Sequence, residues 1–164
     1  MALANLKDIY IDQLQDIYSA DTQAAKVTAE LAEAAHDAKL KDALTAGVEG
    51  INEGRSTLAG IIKTHGADPA EEFCKGMEGL VKEARSHGLE EDISDPDARD
   101  AMIITQYQRM AHYGIAGYGC LVAFAKRLGL KDDATKLQKC LDATAHGDRT
   151  MTELAEGGIN KAAA

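Results

Sequence analysis

The chain has 164 residues, 45% apolar and 4% aromatic, with two prolines: enough for one domain with a sizeable core, short for two, and poor in the side chains that build β-sandwiches and barrels. Eighteen Lys and Arg stand against 27 Asp and Glu, a formal charge of -9, with no basic cluster longer than Lys126-Arg127, so nucleic acid is excluded as an expected partner. No apolar run approaches the roughly 20 residues of a membrane span, and the start MALANLKDIY lacks the charged and apolar regions of a signal peptide. The expectation is a soluble, cytoplasmic protein with no membrane partner. Cys74, Cys120 and Cys140 are odd in number and lack any CxxC spacing, which points to free thiols and neither a disulfide framework nor a structural zinc site.

In chain order, positions 14, 17, 21, 24, 28, 31 and 35 alternate steps of three and four and hold Leu, Ile, Asp, Ala, Thr, Leu and Ala. This spacing predicts an amphipathic helix over about residues 4 to 36. A second helix runs from Ala38 to Thr64 with Leu40, Leu44, Val48, Ile51, Arg55, Leu58 and Ile62 on one face, and His65-Gly66 ends it. The third opens at Ser94-Asp95-Pro96, an N-cap followed by a first-turn proline, and turns Ile103, Tyr107, Met110, Gly114, Gly117, Leu121 and Leu128 inward before Gly129 closes it. The fourth uses Ala134, Leu137, Leu141, Thr144, Asp148, Met151 and Ala155; Gly157-Gly158 is expected to stop it before a flexible tail from about 157 to 164.

Short links make helices one and two, and three and four, antiparallel neighbours. Between the pairs lies Gly66 to Ile93, which must run the length of the bundle and contains the apolar-periodic piece MEGLVKEA, a short fifth helix. The predicted class is all-α, a single domain over 1–164: a four-helix bundle with one long crossover, the ferritin-like arrangement.

YSADTQ on the first helix, FCKGMEGLVKEA in the crossover, HYGIAGYG on the third helix and the closing DRTMTELA resemble the YciF/YciE-type family of bacterial ferritin-like proteins over nearly the whole chain. The resemblance implies a small bundle associated with stress responses, a homodimer, and a dinuclear iron or manganese site. Such a site takes about six inward ligands, typically a Glu from each of two helices and Glu-x-x-His from the other two.

The inward faces hold few. Helix one offers Asp21; Glu49 and Glu53 of helix two lie near half a turn from its apolar face; helix three has Gly114, and helix four has Thr144 and Asp148. Against the family's usual HYEIAGYG, Gly114 stands where an acid is expected, and Thr144 replaces the usual acid of helix four. GVEGI replaces HLEET, so Gly47 and Gly50 fall at ligand positions. By that comparison only Asp21 and Asp148 carry over as metal ligands, remnants of a degenerate site.

Arg55 falls on the inward stripe of helix two, where the family usually has an aliphatic residue. A guanidinium there could face Asp21 and Asp148, with Thr144 nearby, and substitute for the metal. Alternatively it snorkels to solvent along the bundle edge.

Other candidates are weaker. Glu33 and His36 sit off the stripe at a helix end; Asp142 and His146 are spaced i, i+4 but point away from the seam. His112 and Tyr113, in the HY motif, are candidates for an interface or for support behind the site. Tyr10, Tyr18, Tyr107, Tyr113 and Tyr118 read as core tyrosines, and the inward face supplies no nucleophile with a histidine. Glycine opens a further question: Gly47, Gly50 and Gly54 on helix two and Gly114, Gly117 and Gly119 on helix three serve either close helix approach or a cavity for a small ligand.

Three readings follow. The preferred one is a non-enzymatic, stress-associated bundle without cofactor, its metal site replaced by the charge cluster of Asp21, Arg55, Thr144 and Asp148. The second is an iron- or manganese-dependent oxidase or iron-handling protein. The third is a small-ligand-binding bundle anchored by Asp21, Asp148 and Arg55.

Overall fold

The computed structural model describes residues 3–164; Met1 and Ala2, the first residues of the stretch tested for a signal peptide, lie outside the described residues. Among the described residues the fold is made by five long helices: α1 Leu6–Ala34, α2 Ala38–Thr64, α3 Lys75–Arg85, α4 Pro96–Arg127 and α5 Lys131–Leu154. α1 packs along α2 and α4 along α5, and the two hairpins close on each other as the ferritin-like bundle.

Local chemistry sets the ends. Asn5, Asp37 and Asp95 cap α1, α2 and α4 by accepting from backbone N–H groups of the first turn, and Pro96 stands at the start of α4. Gly66 and Gly129 adopt φ of 76° and 74° just past α2 and α5's predecessor α4, where a left-handed residue turns the chain out of the helix. The α1–α2 turn is held from across the bundle. Asp100, buried on α4, accepts from the backbone N–H groups of His36 and Asp37 at 2.8 and 2.6 Å.

The crossover is pinned along its length. Gln15 and Gln23 of α1 donate to the carbonyls of Asp68 and Cys74, and Ser19 accepts from the Cys74 N–H at 3.0 Å. After α3 the chain widens into a π turn, Ser86–Glu90. There the Arg99 guanidinium donates to the carbonyls of Gly88, Leu89, Glu91 and Ile93.

One expected boundary is corrected. Gly157-Gly158 does not stop the last helix: a π turn spans Ala155–Ile159 with a kink at Gly158, and one more helical turn follows at Asn160–Ala162. Burial of Ile159 against the core end holds this segment in place.

The core is not continuous. One apolar cluster gathers Ala20, Ala24, Val27 and Leu31 with Leu40, Leu44, Ile103, Met110 and Met151. The other gathers Tyr10, Leu14 and Ile17 with Leu58, Ile62, Tyr118, Leu121 and Leu137. The divide falls where α2 carries Gly47, Gly50 and Gly54, α4 carries Gly114 and Gly117, and α5 carries Cys140, Ala143, Thr144 and Gly147. Small side chains on three helices at one height leave space that neither cluster fills.

Candidate functional site

The four residues expected to form one charge cluster are held in separate arrangements. Asp21 is 8% exposed, and its Oδ2 accepts the Tyr118 hydroxyl at 2.5 Å. Asp148 lies with Oδ2 3.1 Å from Nε2 of His112 and Oδ1 accepting from the Gln108 amide at 3.2 Å. Thr144 turns its hydroxyl back to the Cys140 carbonyl at 2.8 Å. Arg55 is half-buried, and among the described residues no carboxylate lies within ion-pair reach of it.

The expected guanidinium bridge between Asp21 and Asp148 is therefore corrected, and helix geometry gives the reason. Gly54, not Arg55, is the α2 residue that meets the pair: a Cβ at 54 would sit 3.4 Å from Asp21 Oδ2 and 2.7 Å from the Tyr118 hydroxyl. The next residue is rotated by about 100° around the helix, away from that contact. Arg55 acts on Asp21 only through its charge. Burial pushes the Asp21 carboxyl up to about 7, opposed first by the Tyr118 hydrogen bond and then by Arg55.

His112 and Tyr113 diverge. His112 is exposed and faces Asp148 on α5, whereas Tyr113 donates to Asp16 Oδ2 at 3.1 Å and lies 3.0 Å from Cys74 Sγ in the crossover. Asp142 and His146 are exposed, Asp142 accepting from Gln138, and Glu33 and His36 are exposed as expected.

The donor set does not fit a dinuclear metal centre. Gly47, Gly50 and Gly114 contribute no donor where ligands would project, and Asp21 and Asp148 are engaged with different partners. Among the described residues no group of three His, Cys, Asp or Glu converges on a point, against the roughly six donors such a centre needs.

What occupies the divide is a cavity of about 330 Å³. Asp21, Ala24 and Thr28 of α1 wall one side; among the residues opposite are Gly47, Gly50 and Gly54 of α2, Met77 of α3, Tyr107, Gly114 and Tyr118 of α4, and Cys140, Thr144 and Gly147 of α5. It reaches the exposed residues Ala46, Gly50, Ala143 and His146, so its mouth lies between α2 and α5.

The glycines divide between the two uses left open by the sequence. A Cβ at Gly50 would meet nothing within 4 Å and one at Gly114 only Thr144 Cγ2 at 3.4 Å, so these border the void. A Cβ at Gly47 would come within 2.9 Å of the Tyr107 hydroxyl, and one at Gly117 would collide with Ile17 Cδ1. Those two, with Gly54, serve close approach.

Two polar groups mark the ends of the cavity. Asp21 and Tyr118 form one. At the other, Thr28 is fully buried, and its hydroxyl is the one buried side-chain polar atom among the described residues without a hydrogen-bond partner. Thr28 stood on the predicted inward stripe, so the position was legible; its lack of a partner depends on what the other helices bring.

Two further polar groups escaped the sequence reading because their members are far apart in the chain. Asp133 Oδ2 lies 2.7 Å from His65 Nε2 and accepts the Tyr10 hydroxyl at 3.1 Å, while Lys7 Nζ lies 2.7 Å from His65 Nδ1. The second joins Asp16, Tyr113 and Cys74; burial raises the Cys74 thiol and the Tyr113 hydroxyl above their usual ranges.

Comparison with known proteins agrees with this architecture. The family model described as a domain of unknown function, DUF892, matches residues 5–164. The chain is 31% identical to protein YciF of Escherichia coli over 99% of this chain and 98% of that protein. The crystal structure of the E. coli stress protein YciF superposes with a TM-score of 0.90, covering 97% of this chain and 99% of that one at 31% identity. YcfI of Rhodopseudomonas palustris gives a TM-score of 0.85 at 30% identity over 91% of this chain and 94% of its own. A Xanthomonas campestris protein, 18% identical, gives 0.75 over 96% of each chain and shares the fold.

Proposed function

The chain belongs to the DUF892 family, and from that premise we propose that it is a stress-associated, non-catalytic bundle that holds one small organic molecule in its central cavity. The observation that carries the reading is the cavity beside Gly114: positions that the family resemblance reads as metal ligands are glycines here, and the space they leave is lined by a buried carboxyl, Asp21, and by Thr28, whose buried hydroxyl has no partner. A concave, mostly apolar recess with a few polar groups is the usual form of a small-molecule site, and burying apolar ligand surface there removes it from water.

Binding without chemistry follows from the walls. Cys140 is the lining residue with nucleophilic potential, and burial raises its thiol above the usual range, which keeps it from the reactive thiolate form. His146 stands at the exposed mouth. The stress association is supported by the description of E. coli YciF, similar over nearly its full length. The homodimer belongs to the same proposal and draws on Phe73, 56% exposed in the crossover; a cytoplasmic setting draws on three free cysteines.

Native mass spectrometry of the full chain tests the proposal. The wild type should retain one organic molecule per chain, and Gly114→Leu, which fills the void, should not. Stoichiometric iron or manganese that disappears in Asp21→Ala would overturn the reading in favour of a metal centre.

A further inference from the structure

Resting on the ligand-binding reading above, we propose that the occupant is a small primary amine whose ammonium seats against the Asp21 carboxylate and whose far end carries a neutral polar group facing Thr28. Asp21 is nine-tenths buried yet receives one hydrogen bond, from Tyr118, and no cation touches it. A carboxylate accepts about four hydrogen bonds, so most of its capacity is unused beside a cavity. A buried carboxylate without a contacting cation is costly; an ammonium supplies three donors and the missing charge at once. Tyr118 and Tyr107 line the same space, and aromatic side chains are attractive neighbours for a cation.

Anions are disfavoured by the same walls. The groups that face Asp21 are the Tyr118 hydroxyl from α4, the Arg55 charge from α2 and the Cys140 thiol from α5. Of these Arg55 is outside contact distance, and neither Arg55 nor any Lys lines the cavity. The net charge of -9 draws cations toward the molecule.

Length is set by α1. Asp21 and Thr28 are seven residues apart on one helix, about 10 Å along its axis, so the ligand is elongated, polar at both ends and apolar between, where Ala24, Gly50, Met110 and Gly114 form the wall. Thr28 has no charged neighbour on the cavity and suits a hydroxyl or amide. Because burial holds the Asp21 proton to near neutrality, an ammonium must displace that proton, which couples amine binding to pH.

Isothermal titration calorimetry of the full chain with hexan-1-amine, hexan-1-ol and 6-aminohexan-1-ol, from about pH 5.5 to about pH 8.5, tests this. Hexan-1-amine should bind with affinity rising up to about tenfold per pH unit below pH 7 and levelling above it, while hexan-1-ol shows no such rise. Asp21→Asn should weaken hexan-1-amine at least about tenfold at pH 8, and a cooperative urea unfolding transition of the variant shows that it is folded. 6-Aminohexan-1-ol should bind about 2- to 10-fold tighter than hexan-1-amine, a gain that Thr28→Val removes. Hexan-1-ol binding as tightly as hexan-1-amine at pH 8, or amine binding indifferent to pH and to Asp21→Asn, would overturn the amine while leaving the cavity reading standing. Failure of all three probes to bind would overturn both.

Discussion

Tyr118 on α4 donates its hydroxyl to the carboxylate of Asp21 on α1 at 2.5 Å, across the point where the two halves of the core part. The pair is possible because residue 54 on α2 is glycine: any Cβ there would come within 2.7 Å of the tyrosine oxygen. One absent side chain on a third helix therefore allows the contact between the other two.

Tyr118→Phe should move the Asp21 titration above its value of about 7, because the hydrogen bond that favours the ionised form is gone. The expected loss of stability at pH 8 is about 1–3 kcal/mol for a buried acceptor left unsatisfied. NMR titration of the Asp21 carboxyl carbon reads the shift directly; an unmoved midpoint would mean that Tyr118 does not donate.

Asp21 also makes stability depend on pH. Its folded-state proton is held to about 7 against an ordinary 3.8, so as pH rises the unfolded chain ionises first and stability falls between about pH 4 and pH 7, then levels. Asp21→Asn cannot ionise and keeps an acceptor for Tyr118. Urea unfolding should find it more stable than the wild type by roughly 3–4 kcal/mol at pH 8 and by only about 1 kcal/mol at pH 4.5.

Thr28→Val should stabilise the ligand-free protein by about 1 kcal/mol, since it replaces an unpartnered buried hydroxyl with a methyl group of the same shape. The same change is neutral or harmful where a hydroxyl is bonded. A fall in Tm would show that Thr28 has a partner in solution.

Gly114→Ala and Gly117→Ala should act in opposite directions although three residues apart. The first places a methyl group in ordinary contact with Thr144 Cγ2 at 3.4 Å and removes a helical glycine, a gain of about 0.5–1 kcal/mol. The second drives a methyl into Ile17, whose Cγ1 would lie 2.8 Å away, and should cost about 1–3 kcal/mol. Chemical denaturation of both variants decides it.

Asp100→Ala should be among the costly single changes outside the cavity, about 2 kcal/mol, because two partly buried backbone N–H groups at the α1–α2 turn lose a charged acceptor. Asp100→Asn, which retains one acceptor, should fall between it and the wild type. Hydrogen exchange at His36 and Asp37 should quicken in the same order.

Much of the fold was legible because it rests on local and periodic signals. The three-and-four spacing placed α1 within two residues of Leu6–Ala34, and Ala38 to Thr64 came out as α2 occupies it. Asp95-Pro96 marked the start of α4. Gly157-Gly158 misled, since a glycine permits a helix to end but does not compel it when a downstream Ile159 gains burial by continuing.

The candidate site was legible only in part. The sequence by itself determined that Asp21, Thr28, Gly114 and Thr144 lie on inward faces and that metal donors are few, because inwardness follows from helical period alone; Asp148, on the same expected stripe, turns instead to the exposed His112. Only the tertiary structure decided which inward groups meet. Whether Arg55 or Gly54 faces Asp21 is one residue's rotation on α2; whether Tyr118 is a core tyrosine or a donor depends on α1 lying opposite. Whether small residues close a gap or leave a cavity depends on the axial register of four helices. Period fixes a direction within one helix, whereas contact needs the relative height and rotation of two, and that is set by the packing of the two apolar clusters on either side of the void.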